Sequence, residues 1–360
     1  MEYPDICIAG AGIIGLSLAL ELHSRGARVT VFDQGEPLAE ASTAAAGMLA
    51  AGDPENPREL RQIAELSRAL YPGFLNRILD LSGIVVPFQT GTTLQEVRPG
   101  ENGYARDLTL LSADTLSLLL PQLHSARLNS GSRRFALLDE NSLDPRQLAQ
   151  ALLAAVRAAR IDLRAQTPIR FVRSSPQGIE IHTTAGTLSP SCVVDCTGAW
   201  GLSPAVPGQV RALPRKGQML VVTLPHALSL HVVVRTPDIY IVPRTTGATA
   251  GRAVIGATVE DAGFDKTVDP GEIARLRARA AELLPDLADA VEVETWAGLR
   301  PGSSDDLPLL GQVGENRFVA AGHYRNGILL APATAMLLAQ MLSGETTPVS
   351  LSAFSPLRPE

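Results

Sequence analysis

Three cysteines in 360 residues leave no disulfide framework to read. Cys7, Cys192 and Cys196 are odd in number and irregular in spacing, the usage expected of a reducing, cytoplasmic compartment. Cys192 and Cys196 fall in one extended run, Cys-Val-Val-Asp-Cys, which holds them roughly 13 Å apart, too far for a bridge or a shared metal. No Cys/His cluster has zinc spacing, so no metal is expected, and no Gly-x-Ser-x-Gly elbow offers an anchor for hydrolase chemistry. Basic residues number 31 against 37 acidic, a net charge of -6, and no Lys/Arg cluster is interleaved with aromatics; a nucleic-acid partner is excluded on that ground. Long hydrophobic runs are also missing. Residues 6–20 are interrupted by three glycines and preceded by Glu2 and Asp5, where a signal peptide needs positive charge. Residues 328–342 are too few to span a bilayer and contain Pro332, so no membrane association is expected.

What the chain does have is core material, 45% hydrophobic against 19% charged, and a length that predicts two domains. Its opening carries the densest signal. Residues 5–9 alternate into a short buried strand, and Gly10-Ala-Gly12-Ile13-Ile14-Gly15 then opens a helix that runs to about Ser24. Gly10 permits a tight bend, Gly12 lets the backbone approach a pyrophosphate, and Gly15 lets helix and strand pack closely, while the helix N-terminus attracts phosphate. Gly26 ends the helix, and a second strand, residues 28–32, delivers Asp33, eighteen residues after Gly15, with Gln34 beside it. A carboxylate there accepts hydrogen bonds from the ribose hydroxyls of an adenosine and repels the 2′-phosphate of NADP. The turn is a dinucleotide site, and by itself it does not separate FAD from NAD.

Only one such fingerprint occurs, so there is no second nucleotide domain through which NAD(P)H would deliver electrons, and the substrate itself must supply them. The small-residue segment 41–48, holding Ser42, Thr43, Ala46, Gly47 and Met48, is either a surface loop or backbone pressed against a flat ring or pyrophosphate. Two later segments read as strands ending in glycine turns: residues 192–197, followed by Gly198-Ala-Trp200, and residues 317–321, followed by Gly322-His323-Tyr324-Arg325-Asn326-Gly327. Beyond Gly327 an apolar helix is expected through residues 328–342, its positive N-terminus available to charge on a ligand. Ligands of open α/β sheets bind beyond the carboxyl ends of strands, so Thr197, Gly198, Trp200 and the 322–327 turn can converge with Gly10 on one long cofactor; ordinary core packing is the alternative.

These segments together resemble the FAD-dependent glycine/D-amino acid oxidase superfamily, and within it the glycine oxidases of thiamine biosynthesis. The resemblance rests on Gly10-Ala-Gly-Ile-Ile-Gly15, Ala44-Ala-Ala-Gly-Met-Leu49, Tyr240-Ile-Val-Pro-Arg244, Trp296-Ala-Gly-Leu-Arg-Pro-Gly302 and His323-Tyr-Arg-Asn-Gly-Ile-Leu-Leu-Ala-Pro-Ala-Thr334. It implies a non-covalent FAD contacted by Asp33, the 42–48 loop, Val172 and the turn from His323 through Gly327, Ile328 and Leu329. It also implies a small amino acid and molecular oxygen as reactants, hydrogen peroxide as a product, and a homo-oligomer, tetrameric in relatives.

Hydride transfer from an amino acid requires its carboxylate to be fixed while the α-hydrogen lies over flavin N5. Arginine is the natural clamp, because its planar fork donates two parallel hydrogen bonds. Arg300 stands in an otherwise apolar stretch and is either that clamp or half of an internal salt bridge; the resemblance implies the clamp. Tyr240, in an alternating run, is either core filling or a hydroxyl donor, and Arg325 either a solvated loop arginine or a site residue; the resemblance implies carboxylate binding by Tyr240 and a place for Arg325 at the substrate and flavin edge. Two segments depart from the relatives, Arg235-Thr-Pro-Asp238-Ile and Gly52-Asp-Pro-Glu-Asn-Pro57, which leaves sarcosine, other N-alkyl glycines and small D-amino acids as alternatives to glycine.

The expected architecture is α/β: a discontinuous Rossmann-like FAD-binding domain (1–84, 139–205 and 300–360) with an inserted antiparallel-sheet substrate domain (85–138 and 206–299). Asp144-Pro145 caps an amphipathic helix, and residues 272–284 form another with a solvated arginine face. Three other functions stay open: a dehydrogenase passing electrons to a quinone or a protein, a non-catalytic flavin-binding protein, and an NAD-dependent dehydrogenase.

Overall fold

Short strands, the central ones buried, build the first of two main sheets. The structure, a computed structural model, describes residues 5–98, 108–123, 133–175, 178–201 and 211–359. In the six-stranded sheet the order is Leu309–Gly314, Arg317–Ala321, Cys192–Asp195, Ile6–Ala9, Val29–Phe32, Asp162–Arg164. All neighbours are parallel except the hairpin of the first two. Ile6–Ala9 lies between Val29–Phe32 and Cys192–Asp195, so the order reverses at that strand and a crevice opens beyond its carboxyl end, at Gly10. This is a Rossmann-like α/β unit, as expected from the sequence.

Three helices cover it. Ile13–Ser24 follows the glycine turn, with Leu16, Leu18 and Leu22 fully buried. Pro145–Ala158 starts at Asp144, whose Oδ1 accepts from the Arg146 N–H at 3.0 Å, and its buried face holds Leu148, Leu152, Ala155 and Val156. Gly327–Leu342 contains Pro332, which has no N–H to donate to the carbonyl of Ile328. The gap is filled from Arg61–Ser82, a long helix absent from the sequence reading. Tyr71 Oη donates to the Ile328 carbonyl at 2.6 Å, and Ser67 Oγ inserts between the Leu329 carbonyl (2.6 Å) and the Ala333 N–H (3.1 Å). The broken helix is thereby fixed at its first turn, the part that faces the site. No helix among the described residues is long and apolar enough to cross a membrane.

The second main sheet has seven strands in the order Val291–Gly302, Leu213–Thr223, Arg252–Gly256, Tyr240–Arg244, Val233–Arg235, Thr93–Val97, Arg134–Leu138. It is antiparallel, as expected, except that Val233–Arg235 and Thr93–Val97 run parallel. Helix Pro270–Leu283 packs on one face through Ile273, Leu276 and Ala280, and on its outer side Arg275 pairs with Glu272. A three-stranded meander, Ile169–Ser175, Gly178–Thr183 and Gly186–Leu188, is a further element the sequence reading did not contain. The expected boundary at 205/206 lies outside the described residues. The boundary at 299/300 falls inside strand Val291–Gly302, which continues through Arg300 without a break.

Candidate active site

One long cavity runs from the crevice of the six-stranded sheet to a face of the seven-stranded sheet. At its nucleotide end Gly10 adopts φ 97°, and a Cβ there would come within 2.7 Å of the Cys196 carbonyl carbon. Only glycine lets the turn lie this close to the neighbouring strand end. Asp33 holds the turn from the other side, accepting from the Ala11 N–H at 2.7 Å and the Gly35 N–H at 2.8 Å. Its carboxylate thus positions the loop and, with about four lone-pair sites, retains capacity for a ribose. Gly12, Ile13, Ile14 and Gln34 line the same end. Gly15 does not; a Cβ on it would meet the Gly10 carbonyl, so it serves the close approach of helix to strand.

Segment 41–48 is pressed into the cavity wall and is not a free surface loop. It contains a single helical turn, Ala41–Ala44, and Ser42 Oγ accepts from the Ile13 N–H at 2.9 Å, capping the first turn of the nucleotide helix. Trp296 Nε1 donates to the Ala44 carbonyl at 3.0 Å and Arg244 Nη2 to the Ala46 carbonyl at 3.0 Å, which ties the segment to the seven-stranded sheet. Gly47, at φ 88°, fits against Leu143 and Pro145, and Met48 lines the cavity. Thr43 turns its hydroxyl back to the Leu38 carbonyl at 2.9 Å.

Thr197, Gly198 and Trp200 line the opposite wall beyond strand Cys192–Asp195. Val172, expected at the cofactor, stands on strand Ile169–Ser175 of the meander. It is half-buried against the cluster of Phe32, Ile179 and Ile181, while Ile169 reaches the cavity. Ile169 follows directly on the turn after strand Asp162–Arg164, at the crevice, whereas Val172 is roughly 10 Å further along the meander. His323, Tyr324, Asn326, Gly327 and Ile328 line the cavity, so the N-terminus of helix Gly327–Leu342 opens onto it; Leu329 does not line it, being packed in the core at 1% exposure. His323 Nε2 lies 3.0 Å from Thr334 Oγ1, and burial lowers its pKa to about 3, so the imidazole is neutral.

At the far end Arg300 and Tyr240 come together on the seven-stranded sheet. Arg300 Nη1 donates to the Thr258 carbonyl at 3.0 Å and more distantly to that of Lys216. Burial pushes the Tyr240 hydroxyl pKa up, against the opposing charge and hydrogen bond of the Arg300 guanidinium. Beside them lies a cluster the sequence did not reveal. Asp53, 5% exposed, has Oδ2 3.7 Å from Arg235 Nε and 3.4 Å from Arg325 Nη2; Arg325 also reaches Glu55 at 2.6 Å, and Arg235 reaches buried Glu140 at 3.0 Å. Burial opposes ionisation of Asp53, but the charges of Arg235 and Arg325 and the Glu55 N–H outweigh it and hold the carboxyl below its usual range. Arg325 is therefore at the cavity, and its charge is already paired. Segments 52–57 and 235–239 meet in this cluster. Among the described residues no group of His, Cys, Asp and Glu could hold a metal.

A glycine turn at a topological switch point, an acid on the adjacent strand and a small-residue loop against the same cavity define an FAD-dependent oxidoreductase. The family model described as DAO, FAD dependent oxidoreductase, matches residues 5–341, and the chain belongs to that family. It is 33% identical to glycine oxidase from Geobacillus kaustophilus (strain HTA426) over 98% of this chain and 96% of that one, and 32% identical to glycine oxidase from Pseudomonas aeruginosa over 98% of each. The bifunctional protein ThiO/ThiG of Trichormus variabilis is 34% identical over 97% of this chain and 54% of its own length. The crystal structure of the Geobacillus kaustophilus glycine oxidase superposes with a TM-score of 0.89 over 99% of each chain at 32% identity. The cofactor is FAD, and an NAD-dependent dehydrogenase is ruled out. The residues present fit it: Gly10, Gly12, Ser42, Gly47, Thr197 and Gly198 line the cavity with backbone and small side chains, and the N-terminus of Gly327–Leu342 faces it.

Proposed function

We propose that this enzyme oxidises the amine of a small amino acid, glycine first among them, to the imine, which hydrolyses to the oxo acid (glyoxylate from glycine) and ammonia. The observation that carries this reading is the pairing of Arg300 with Tyr240 on the cavity that begins at Gly10. Bound without a covalent link, FAD would supply the two-electron acceptor for a hydride from the α-carbon, with oxygen as final oxidant and hydrogen peroxide as product. Arg300 grips the substrate carboxylate through its planar fork, and the Tyr240 hydroxyl, kept protonated by burial, donates to it. Arg325, largely neutralised by Asp53 and Glu55, shapes the substrate edge. Neutral His323 adds no charge to the cofactor wall. The two sheets divide this work between a nucleotide-binding and a substrate-binding domain, the latter drawn from segments 85–138 and 206–299. Identity to the ThiO/ThiG protein supports a place in thiamine thiazole synthesis, and the three free, buried cysteines support a cytoplasmic setting.

A second reading concerns substrate choice. Sarcosine, another N-alkyl glycine or a small D-amino acid is the alternative to glycine, and the ion pairs of Asp53 with Arg235 and Arg325 border the same cavity. A peroxide assay with glycine, sarcosine and D-alanine, with the visible spectrum recorded anaerobically, ranks these substrates. Bleaching of the flavin without peroxide in air would make the enzyme a dehydrogenase, and no bleaching by any of the three would leave a flavin-binding protein without amino acid turnover.

A further inference from the structure

Three glycines interrupt the middle of the seven-stranded sheet where it faces the cavity. Gly217 on strand Leu213–Thr223 is directly opposite Gly298 on strand Val291–Gly302, and two rows on, Gly256 is opposite both Met219 and Tyr240. None of the three has the left-handed backbone that requires glycine. Glycine inside a strand costs stability, and where no turn demands it, it marks a place where another group approaches the backbone closely. What approaches differs at each. A Cβ at Gly298 would lie 2.6 Å from the Ala44 Cβ, so Gly298 seats the cofactor-side loop. A Cβ at Gly256 would lie 2.6 Å from Tyr240 Oη. A Cβ at Gly217 would overlap both terminal nitrogens of Arg300 and lie 2.5 Å from its Cζ.

The Arg300 guanidinium therefore rests directly on the Gly217 backbone, with Nη1 held between the carbonyls of Thr258 and Lys216. We propose that Gly217 is a positioning residue for the reaction: its missing side chain sets where the Arg300 fork lies and thereby the affinity for the substrate carboxylate. The proposal rests on the reading of Arg300 as carboxylate clamp. Its physical signature is a separation of stability from binding. The atoms that a methyl at 217 would displace are the far end of a flexible side chain, so the fold tolerates the change by letting the guanidinium swing. A bidentate carboxylate site does not tolerate that swing, because alignment of the fork is what gives it strength.

The test uses holoenzyme and acetate as a carboxylate probe, followed by perturbation of the flavin spectrum. Gly217→Ala is expected to retain FAD and thermal stability, to bind acetate roughly tenfold or more weakly, and to raise KM for the amino acid more than it lowers kcat. Gly73→Ala, at a helical site where a Cβ meets nothing within 4 Å, serves as control and leaves acetate binding unchanged. Arg300→Ala separates the two layers of the argument: acetate affinity equal to the parent there removes the clamp reading itself. If Arg300→Ala weakens acetate and Gly217→Ala does not, only the positioning role is overturned. The double variant should bind acetate no more weakly than Arg300→Ala alone, since the methyl acts through the guanidinium; a further loss in the double overturns the proposal. Should Gly217→Ala lose FAD, recovery of FAD in the double variant supports the same route, and failure of both overturns it.

Discussion

His323 gives the protein a pH dependence whose sign and size follow from its surroundings. The imidazole is 2% exposed, is partnered by Thr334 Oγ1 at 3.0 Å, and has its pKa lowered by burial from 6.5 to about 3. Below pH 6.5 the unfolded chain takes up a proton that the folded protein refuses, so the unfolded state binds more protons and stability falls as pH drops from 6.5 toward 3. Each unit below 6.5 removes about 1.4 kcal/mol, which amounts to roughly 2 kcal/mol at about pH 5. Carboxylates whose pKa values are lowered on folding, such as Glu21, Glu260 and Asp53, lose their contributions only below 4.5, so the interval above that separates the histidine from them. His323→Gln keeps a donor and an acceptor for Thr334 but has no proton to gain. Urea unfolding at saturating FAD, at about pH 7 and about pH 5, should show the parent losing roughly 2 kcal/mol more than the variant across that step. Equal losses in the two proteins refute the argument.

Replacing the Arg300 fork by a point charge, Arg300→Lys, should raise KM by roughly 1.5–3 kcal/mol equivalent, with Arg300→Ala costing more, while FAD stays bound; steady-state kinetics beside the flavin absorbance checks both. Asp53→Asn leaves Arg235 and Arg325 sharing only Glu140 and Glu55, and should destabilise the protein by about 3 kcal/mol in a denaturant melt. Gly10→Ala forces a φ of 97° on a residue with a Cβ and drives that Cβ into the Cys196 backbone. Its purified product should carry less than about a tenth of the parent's flavin per polypeptide, read from the absorbance ratio.

The parts of the fold that were legible are those specified within a short window. The strand, glycine turn, helix and acid of residues 5–33 each follow from local alternation, backbone freedom and capping, and Asp144-Pro145 starts its helix for equally local reasons. Helix Arg61–Ser82 was missed although Ile63, Ser67, Tyr71 and Ile78 are buried on it, because Ser67 and Tyr71 are polar and are turned inward only to mend the gap that Pro332 makes elsewhere.

The substrate end was the least legible for the same reason, carried further. Arg300 and Tyr240 were recognisable by residue type, but what fixes them is spread over strands that only the sheet brings together: Gly217 opposite Gly298, and Gly256 between Met219 and Tyr240. A glycine reads in sequence as a turn or a weak strand, and nothing local distinguishes one that bends the chain from one that makes room for an arginine. The Asp53 cluster is harder still, since its charges come from residues 53, 140, 235 and 325, and each alone reads as a solvated group. Asp53, Glu140 and Arg235 are buried, with Arg325 at their exposed edge, and none of the three can be exchanged singly without leaving a charge uncompensated. Residues 53, 140, 235 and 325 are therefore one coupled set, and a substitution at any of them should be read with its partners in place.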